Sequence, residues 1–219
     1  MFNIGIDGPS ASGKSTIAKE LAKKLNFIHI DTGAMYRAIA LDCLKNKVDL
    51  DDEKACVALA NKSKIELLGD NQIFLNDFNV TQSIRSEKVS KAASKISQYK
   101  DVRHKLVELQ QAIASKKGFV MDGRDITSVV LPDAEVKIYQ NADVSVRAKR
   151  RFYELVEKGH KLDYQDVYDD LVLRDKNDMT RSESPLVKVD DAVEVDTTYL
   201  SIDESVELIM SIIKDRGLV

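Results

Sequence analysis

The sequence predicts an α/β fold, with a five-stranded parallel sheet, helices on both faces, a small antiparallel β insert and a helical lid. Three observations support this prediction. A glycine-rich loop lies between an apolar strand and an amphipathic helix, and strand-length apolar runs then alternate with helical patterns. Short apolar runs separated by turn residues interrupt that alternation once, which predicts the insert.

The glycine-rich loop, Gly8 to Ser15, reads GPSASGKS and matches the phosphate-binding pattern G-x-x-x-x-G-K-S. An apolar strand at 2–7 precedes it, and a helix with apolar residues at i, i+4 and i+8 follows it. In such a loop, backbone N–H groups converge on a phosphate, Lys14 reaches the β/γ-phosphates and the Ser15 hydroxyl holds Mg²⁺. The alternative is an ordinary strand–helix turn with a chance GKS, which the two correct flanks disfavour. The predicted fold is therefore of the P-loop NTPase type.

Composition bounds the class of protein. The chain has 219 residues, 43% of them hydrophobic, and a formal net charge of −3, which fits one domain or a core with an insert. We expect a cytoplasmic protein without nucleic-acid or membrane partners, because the charge is small and long apolar runs and a signal-peptide pattern are missing. We also expect a monomer. Cys43 and Cys56 lack metal-ligand spacing and are predicted to be reduced core thiols.

The remaining elements follow from apolar periodicity and from cap and turn residues. Strands are predicted at 27–30, 119–121, 136–139 and 192–196, and insert strands at 65–68, 72–75 and 78–81, split by turns at 69–71 and 76–77. Helices are predicted at 34–45, 51–62, 86–97, 101–117 with Gly118 as its stop, 143–158 with Gly159 as its stop, and from 163 onward. The last helix opens with a capping box of Ser201 and Glu204 and is expected to bury Ile202, Val206, Ile209 and Ile213.

One motif is set aside. Residues 46–49 read NKVD, like the guanine-reading N-K-x-D of GTPases, but they follow an amphipathic helix rather than a strand. The chain also contains no D-x-x-G. We interpret NKVD as a helix C-terminus capped by Asn46.

Two positions near strand ends are candidates for anion or metal chemistry. Arg37 falls in the first turn of the predicted helix 34–45, where it opposes the helix dipole, so a role with an anion is slightly favoured over a solvated charge. Asp122 ends an apolar strand. It either completes an Mg²⁺ shell or caps its loop, and both interpretations stay open.

Two arginine clusters are further candidates. Arg147, Arg150 and Arg151 share one face of a predicted helix and could close over a polyphosphate, although a solvated face is the usual outcome. Arg174, Asp178 and Arg181 form a stripe if their helix extends that far, and a surface ion-pair ladder is the rival interpretation. Both clusters suit phosphoryl transfer, which depends on positioning and charge neutralisation.

Five segments together resemble one family: IDGPSASGKST, HIDTGAMYRA, VMDGRDITSVVLPDA, RDKNDMTRSESPL and VEVDTT. They look like the bacterial cytidylate kinases, the (d)CMP kinases of the nucleoside-monophosphate kinase group. The likeness covers nearly the whole chain and includes the β insert. It implies ATP-dependent phosphorylation of CMP and dCMP to CDP and dCDP with Mg²⁺.

The resemblance also implies site residues. ATP would be bound by Gly8, Pro9, Ser10, Ala11, Ser12, Gly13, Lys14, Ser15 and Thr16, and Mg²⁺ by Ser15 and, in one of the two interpretations above, Asp122. CMP would be bound by Thr32, Arg37, Ser94, Arg103, Arg124, Asp125, Arg174, Asp178 and Arg181. The catalytic set would be Lys14, Arg124, Arg147, Arg151 and Arg181.

The family's pattern divides these CMP-binding residues among the base, the phosphate and the ribose. Base reading falls on Ser94, Arg103 and Asp125, the acceptor phosphate on Arg37, Arg124 and Arg181, and the ribose on Arg174 and Asp178. Thr32 stands where many relatives have Ser, which keeps the hydroxyl. Asn177 and Met179 stand where some relatives have arginines, so the acceptor segment is less basic here.

The predicted organisation is a core of residues 1–62, 99–145 and 186–219, an acceptor-side insert at 63–98, and a lid with acceptor-binding helices at 146–185. One alternative function is a kinase for another monophosphate such as UMP. A more distant alternative is a nucleotide-dependent switch or nucleic-acid ATPase that uses the 147–151 arginines as a partner surface.

Overall fold

The computed structural model describes residues 1–68 and 72–219 and divides the chain into two compact units. Unit one comprises residues 1–27 and 117–219, and unit two comprises residues 28–116. The turn predicted at 69–71 lies outside the described residues. The predicted insert falls within unit two, and its role and that of the lid stay predictions.

The first four elements alternate strictly between strand and helix, and several later elements follow one of their own kind. The elements are β1 (Ile4–Asp7), α1 (Lys14–Leu25), β2 (Ile28–Asp31), α2 (Thr32–Lys45), α3 (Glu53–Lys62), β3 (Ile65–Leu68), β4 (Gln72–Leu75), β5 (Phe78–Asn79), α4 (Glu87–Ile96), α5 (Lys100–Ala114), β6 (Phe119–Gly123), β7 (Val136–Asn141), α6 (Val144–Glu157), α7 (Tyr164–Thr180), β8 (Val193–Asp196) and α8 (Ile202–Asp215). A 3₁₀ turn at Ser83–Arg85 and a π-helical turn at Ile126–Val130 complete them.

The two sheets match the predicted fold class. The main sheet has five strands in the order β2-β6-β1-β7-β8, and β1 pairs in parallel with β6 and β7, as β7 does with β8. All four residues of β1 are buried, as expected for a central strand covered on both faces. The second sheet has three strands in the order β3-β4-β5 with antiparallel pairing, which confirms the small β insert.

The core of unit one lies between the sheet and two helices. α1 packs against α8 and β6, and its buried face carries Ile17 and Leu21 as the periodicity predicts. Burial of an aliphatic side chain such as Leu21 is worth about 1.5–3 kcal/mol. The capping box of Ser201 and Glu204 is present at the start of α8. The buried apolar set comprises Phe2, Ile4, Ile6, Ile17, Ala18, Leu21, Ala22, Val120, Val136, Ile138, Val195, Val206, Ile209 and Ile213.

Unit two has its own core, in which α2 packs against α4 and α3 packs against α5. Cys43 and Cys56 lie in this core as free, fully buried cysteines, as predicted. Burial first, and then the neighbouring Cys56, raises the pKa of Cys43 to about 12. Asn46 caps α2, so the NKVD stretch is a helix end.

Several boundaries differ from the predicted ones. α2 begins at Thr32 with Asp31 as its N-cap, so Arg37 lies in the second turn and the dipole argument for it was wrong. α5 ends at Ala114, ahead of Gly118. Ile202 is 49% exposed rather than buried. The π-helical turn after β6 was not predicted at all. In the described part of the chain, no helix has the length and apolar character to cross a membrane.

Candidate active site

The glycine-rich loop connects β1 to α1 and is anchored on β7. A Cβ at Gly8 would lie 1.9 Å from the Gln140 carbonyl oxygen, so a side chain at this position cannot be accommodated. The Gln140 side-chain amide donates to the Ser12 carbonyl oxygen. Thr197, which follows β8, has its hydroxyl 3.4 Å from the same carbonyl oxygen. Two strand ends therefore fix the loop from outside.

Lys14 lies at the start of α1 and is buried under the loop. Its ammonium donates to the Pro9 carbonyl oxygen at 2.6 Å and to the Ser12 hydroxyl at 3.2 Å. Burial, followed by the positive charge of Arg124, holds the pKa of Lys14 well below its usual range. The loop thus surrounds a cation that is costly to bury, which is the electrostatic setting for an anionic ligand.

The Ser15 hydroxyl donates to the Asp122 carboxylate at 2.6 Å. Asp122 lies within β6 near its carboxyl end and is buried. A hydroxyl and a carboxylate are hard oxygen donors of the kind that Mg²⁺ takes beside phosphate oxygens. The donor set at this point therefore fits Mg²⁺ together with a nucleotide phosphate.

Ser10, in the middle of the loop, is bonded by three charged side chains. Its N–H donates to Asp175 Oδ1 at 2.8 Å, and its carbonyl oxygen accepts from Arg147 Nη1 at 3.0 Å. The Ser10 hydroxyl accepts from Arg124 Nη2 at 2.7 Å. Arg147 and Asp175 are themselves ion-paired. The loop is consequently tied to α6, α7 and the segment after β6 through one residue.

A second charged cluster is centred on Asp178 of α7. Its carboxylate accepts from Arg124 Nε at 2.8 Å and lies 3.4 Å from Arg181 Nη1. Burial would raise the pKa of Asp178, but the charges of Arg124, Arg174 and Arg181 outweigh it, so that pKa lies below its ordinary value. Because Asp178 is buried and also pairs with Arg124 from the segment after β6, the surface-ladder interpretation of the stripe was wrong.

Asp125 follows Arg124 and is buried, with its carbonyl oxygen accepting from the Val129 and Val130 N–H groups of the π-helical turn. The start of this turn is held by Asp7, the last residue of β1. The Asp7 carboxylate accepts from the N–H of Ile126 at 2.8 Å and from the N–H and hydroxyl of Thr127, each at 2.7 Å. Complete burial, partly offset by these bonds, raises the pKa of Asp7 to about 6.

The arginines of α6 do not act as one group. Arg147 is buried and bonds the Ala142 and Ser10 carbonyl oxygens. Arg150 Nη2 donates to the Thr197 carbonyl oxygen at 2.9 Å, and Arg151 Nη1 lies 2.9 Å from the Glu154 carboxylate. Helical spacing places them on neighbouring positions, yet their guanidinium groups have three separate sets of partners.

In unit two, Thr32 and Arg37 lie on α2. Arg37 Nη2 donates to Asp31 Oδ2 at 2.6 Å, while Asp31 Oδ1 caps the helix through the Ala34 N–H. Burial would raise the pKa of Asp31, but the charges of Arg37, Arg85 and His29 lower it overall. Asp31 therefore orients Arg37 while remaining ionised.

The other two predicted residues of unit two lie on α4 and α5. Arg103 is 2% exposed, donates to the Ser97 carbonyl oxygen at 3.0 Å, and has its guanidinium carbon 5.3 Å from the centre of the Tyr36 ring. A cation over an aromatic face is stabilised further when both are desolvated. Ser94 lies on α4 and is partly exposed.

Comparisons with known proteins decide the family. The family model described as cytidylate kinase matches residues 4–215. A cytidylate kinase from Bacillus pumilus is 51% identical over 206 residues, 93% of this chain and 92% of that protein. One from Caldicellulosiruptor bescii is 47% identical over 214 residues, 96% of this chain and 95% of that protein. The chain belongs to the cytidylate kinase family.

The fold has a structural relative as well. A crystal structure of an uncharacterised protein from Eubacterium ventriosum aligns with a TM-score of 0.53 at 14% identity, covering 98% of each chain. This likeness concerns the fold alone. The cytidylate kinase family assignment rests on the family model and on the full-length sequence relatives.

The structure brings some of the predicted site residues of this cytidylate kinase family member into shared clusters and leaves others with local partners. In unit one, Arg124 links the loop at Ser10 to the Asp178 cluster, whereas Arg151 pairs within its own helix. In unit two, Arg37 and Arg103 are held by Asp31 and Tyr36.

Sequence reasoning did not identify Asp7, Gln140 or Asp175 as residues that hold this site. The strand-end position of Asp7, directly before the loop, was the one local signal available.

Proposed function

We propose that the chain is a (d)CMP kinase, which transfers the γ-phosphoryl group of ATP to the 5′-phosphate of CMP or dCMP and yields ADP with CDP or dCDP. The observation that carries this proposal is the phosphate loop itself. It holds a buried Lys14 beside an oxygen pair, Ser15 and Asp122, in a chain of the cytidylate kinase family.

On the donor side, residues Gly8 to Thr16, which comprise the loop and the first turn of α1, would bind the ATP phosphates through their backbone N–H groups. The Lys14 ammonium, which donates to the Pro9 carbonyl oxygen, would donate to phosphate oxygens instead. Ser15 and Asp122 would hold Mg²⁺, which would neutralise phosphate charge when bound.

The transfer step needs positioning and charge stabilisation rather than covalent help from the protein. An oxygen of the acceptor phosphate attacks the γ-phosphorus in line, and the bond to the β–γ bridging oxygen breaks with its electron pair leaving on ADP. Lys14, Arg124 and Arg181 would stabilise the charge on the transferred group. Arg124 is well placed for this role because its guanidinium already bonds both Ser10 and Asp178.

On the acceptor side, Arg37, Arg124 and Arg181 would bind the CMP phosphate, and Arg174 and Asp178 the ribose. Thr32, Ser94, Arg103 and Asp125 would contact the nucleoside, with the last three reading the cytosine. The ion pair with Asp31 supports this role for Arg37, since it holds the guanidinium in one orientation.

Residues 146–185 would form the lid, with Arg147 and Arg151 as its phosphate-side arginines. Exclusion of water by such a lid prevents hydrolysis of ATP in place of transfer. Residues 63–98 would form the acceptor-side insert, and 1–62, 99–145 and 186–219 the core. A cytoplasmic monomer that uses small nucleotides as its partners completes the proposal.

An acceptor panel tests the function. ADP release from MgATP is coupled to a spectroscopic readout and measured with CMP, dCMP, UMP and AMP at matched concentrations. We expect CMP and dCMP to give the highest kcat/KM. A preference for UMP would replace the proposed acceptor, and hydrolysis that no acceptor stimulates would support a nucleotide-dependent switch instead.

A further inference from the structure

Asp7 is the last residue of β1 and directly precedes the phosphate loop, and its carboxylate accepts hydrogen bonds from a segment that follows β6. Both of its oxygens are used by the opposite segment. Oδ1 accepts from the Ile126 N–H, and Oδ2 accepts from the N–H and hydroxyl of Thr127. The side chain is fully buried. One carboxylate thus takes three hydrogen bonds from two consecutive residues.

The bonded segment is the start of the π-helical turn, immediately after Arg124 and Asp125. This turn has no side-chain cap of its own from Asp125. Asp7 supplies that cap from a position 119 residues earlier in the chain. The contact is close, because a Cβ at Gly5 would lie 3.1 Å from the methyl groups of Ile126 and Thr127. The turn is therefore seated directly on β1.

We propose that Asp7 is a positioning residue for phosphoryl transfer: its buried carboxylate fixes the segment that carries Arg124 and Asp125 to the end of β1, directly before the phosphate loop. The inference rests on the proposed function, in which the loop binds the donor and this segment binds the acceptor. A second link, from Arg124 Nη2 to the Ser10 hydroxyl, joins the same two segments through side chains. Asp7 adds a link of another kind, because its side chain accepts from the backbone N–H groups of the segment after β6.

The consequence concerns the geometry of transfer. In-line attack depends on the separation and angle of two phosphates, and a misplacement of about 1 Å can cost about a hundredfold in rate. Neither Asp7 nor Thr127 has to touch a nucleotide to control that separation. Thr127 is the sharper probe, since its hydroxyl bonds Asp7 while its chain position lies on the acceptor-side segment.

The experiment compares Thr127→Val, Thr127→Ser and Asp7→Asn in the full chain. We expect Thr127→Val to lower kcat/KM for the acceptor about tenfold and to raise the acceptor KM, while ATP affinity without acceptor changes less than threefold. Thr127→Ser keeps the hydroxyl and should restore most of the efficiency. Asp7→Asn replaces a hydrogen-bond acceptor with an amide donor that faces N–H groups, so it should lower kcat/KM by more than Thr127→Val does.

Ser63→Ala is the matched control, because the Ser63 hydroxyl also bonds a buried carboxylate, Asp42, at 2.6 Å. It should lower the thermal midpoint without lowering kcat. If Thr127→Val likewise loses only thermal stability, Asp7 is structural and the inference fails. Should Asp7→Asn not fold, the Thr127 pair decides. All variants are assayed with whichever acceptor the wild type prefers, so failure of CMP would overturn the proposed function while the variant ratios still test Asp7.

Discussion

The Ser15 hydroxyl lies 2.6 Å from the Asp122 carboxylate, although 107 positions separate the two residues in the chain. Ser15 lies in the first turn of α1, and Asp122 lies near the carboxyl end of β6, the strand that pairs with β1. Parallel pairing brings the ends of both strands to one edge of the sheet, where α/β proteins bind their ligands. The oxygen pair is thus a product of topology.

This pair leads to a prediction about Mg²⁺. Asp122→Asn should raise the Mg²⁺ concentration needed for half-maximal activity about tenfold or more, since the amide removes a charged ligand. The measurement is kcat against free Mg²⁺ at fixed ATP, together with calorimetric titration of Mg²⁺ into the ADP complex. Asp196→Asn serves as the control, because Asp196 also ends a strand of this sheet but bonds Thr198. An unchanged Mg²⁺ requirement would leave Asp122 with the loop-capping role.

Lys14→Ala should abolish turnover and preserve the fold. The ammonium is surrounded by loop oxygens rather than packed in the apolar core, and removal of one phosphate-directed charge at such a site costs about a thousandfold or more in kcat. Circular dichroism and kcat are measured on the same preparation. Lys24→Ala in the same helix is the control, because Lys24 makes an exposed ion pair with Glu207. Activity of Lys14→Ala within tenfold of wild type would refute the phosphate-loop assignment.

These two predictions differ in what the sequence could supply. The loop pattern and the 3.6-residue period located Lys14, Ser15 and α1, because both are local signals. The role of Asp122 was left open between metal binding and loop capping, because its proximity to Ser15 depends on strand pairing. The same limit applies to Ser10 and Asp175, which are 165 positions apart and whose hydrogen bond leaves no periodic trace.

The errors in the element assignments have physical causes as well. α2 begins two residues before its predicted start because the Asp31 carboxylate caps it, and this cap also binds Arg37. The turn after β6 escaped prediction because its cap, Asp7, comes from another strand. Ile202 fits the apolar period of α8 but lies in its first turn, where the capped end is exposed. A long-range contact decided the turn after β6, whereas local capping decided the two helix starts.

Asp7 also gives a prediction about pH. Its pKa is raised to about 6 in the folded protein from 3.8, so the folded state binds the proton more tightly than the unfolded state does. This contribution to stability is complete below pH 3.8 and is lost as the pH rises through 6. The free energy of unfolding of the wild type, minus that of Asp7→Asn, should fall by about 2–3 kcal/mol between pH 4 and 7.5.

Chemical denaturation across that pH range measures the difference. The titratable groups Lys14, Asp125 and Tyr139 interact with Asp7 and are present in both proteins, so their direct contributions largely cancel. A carbon-13 NMR titration of the Asp7 carboxyl provides an independent midpoint. A difference that is flat with pH, or a midpoint near 4, would contradict the prediction.

The last prediction concerns how cytosine is distinguished from uracil. Cytosine carries an N4 amino donor where uracil carries the O4 acceptor, and a carboxylate is the natural partner of that donor. Asp125 is proposed for this role. It is buried, and its backbone is fixed by bonds to Val129 and Val130. Its neighbour Arg124 directs its guanidinium to Asp178 and Ser10. Uracil O4 would face a second acceptor, a penalty of roughly 1–3 kcal/mol.

Asp125→Asn tests this assignment, because an amide can turn its NH₂ group toward O4. Steady-state kinetics should show a lower kcat/KM for CMP and a CMP/UMP ratio reduced by about tenfold. Asp133→Asn is the control, since Asp133 is an exposed carboxylate on the same connection between β6 and β7 and should leave the ratio unchanged. If Asp125→Asn lowers kcat/KM equally for CMP and UMP, the carboxylate supports the fold of its segment and cytosine is recognised by other residues. A reduced CMP/UMP ratio at an unchanged thermal midpoint indicates base recognition by Asp125. Loss of structural support alone would lower kcat/KM for both nucleotides alike.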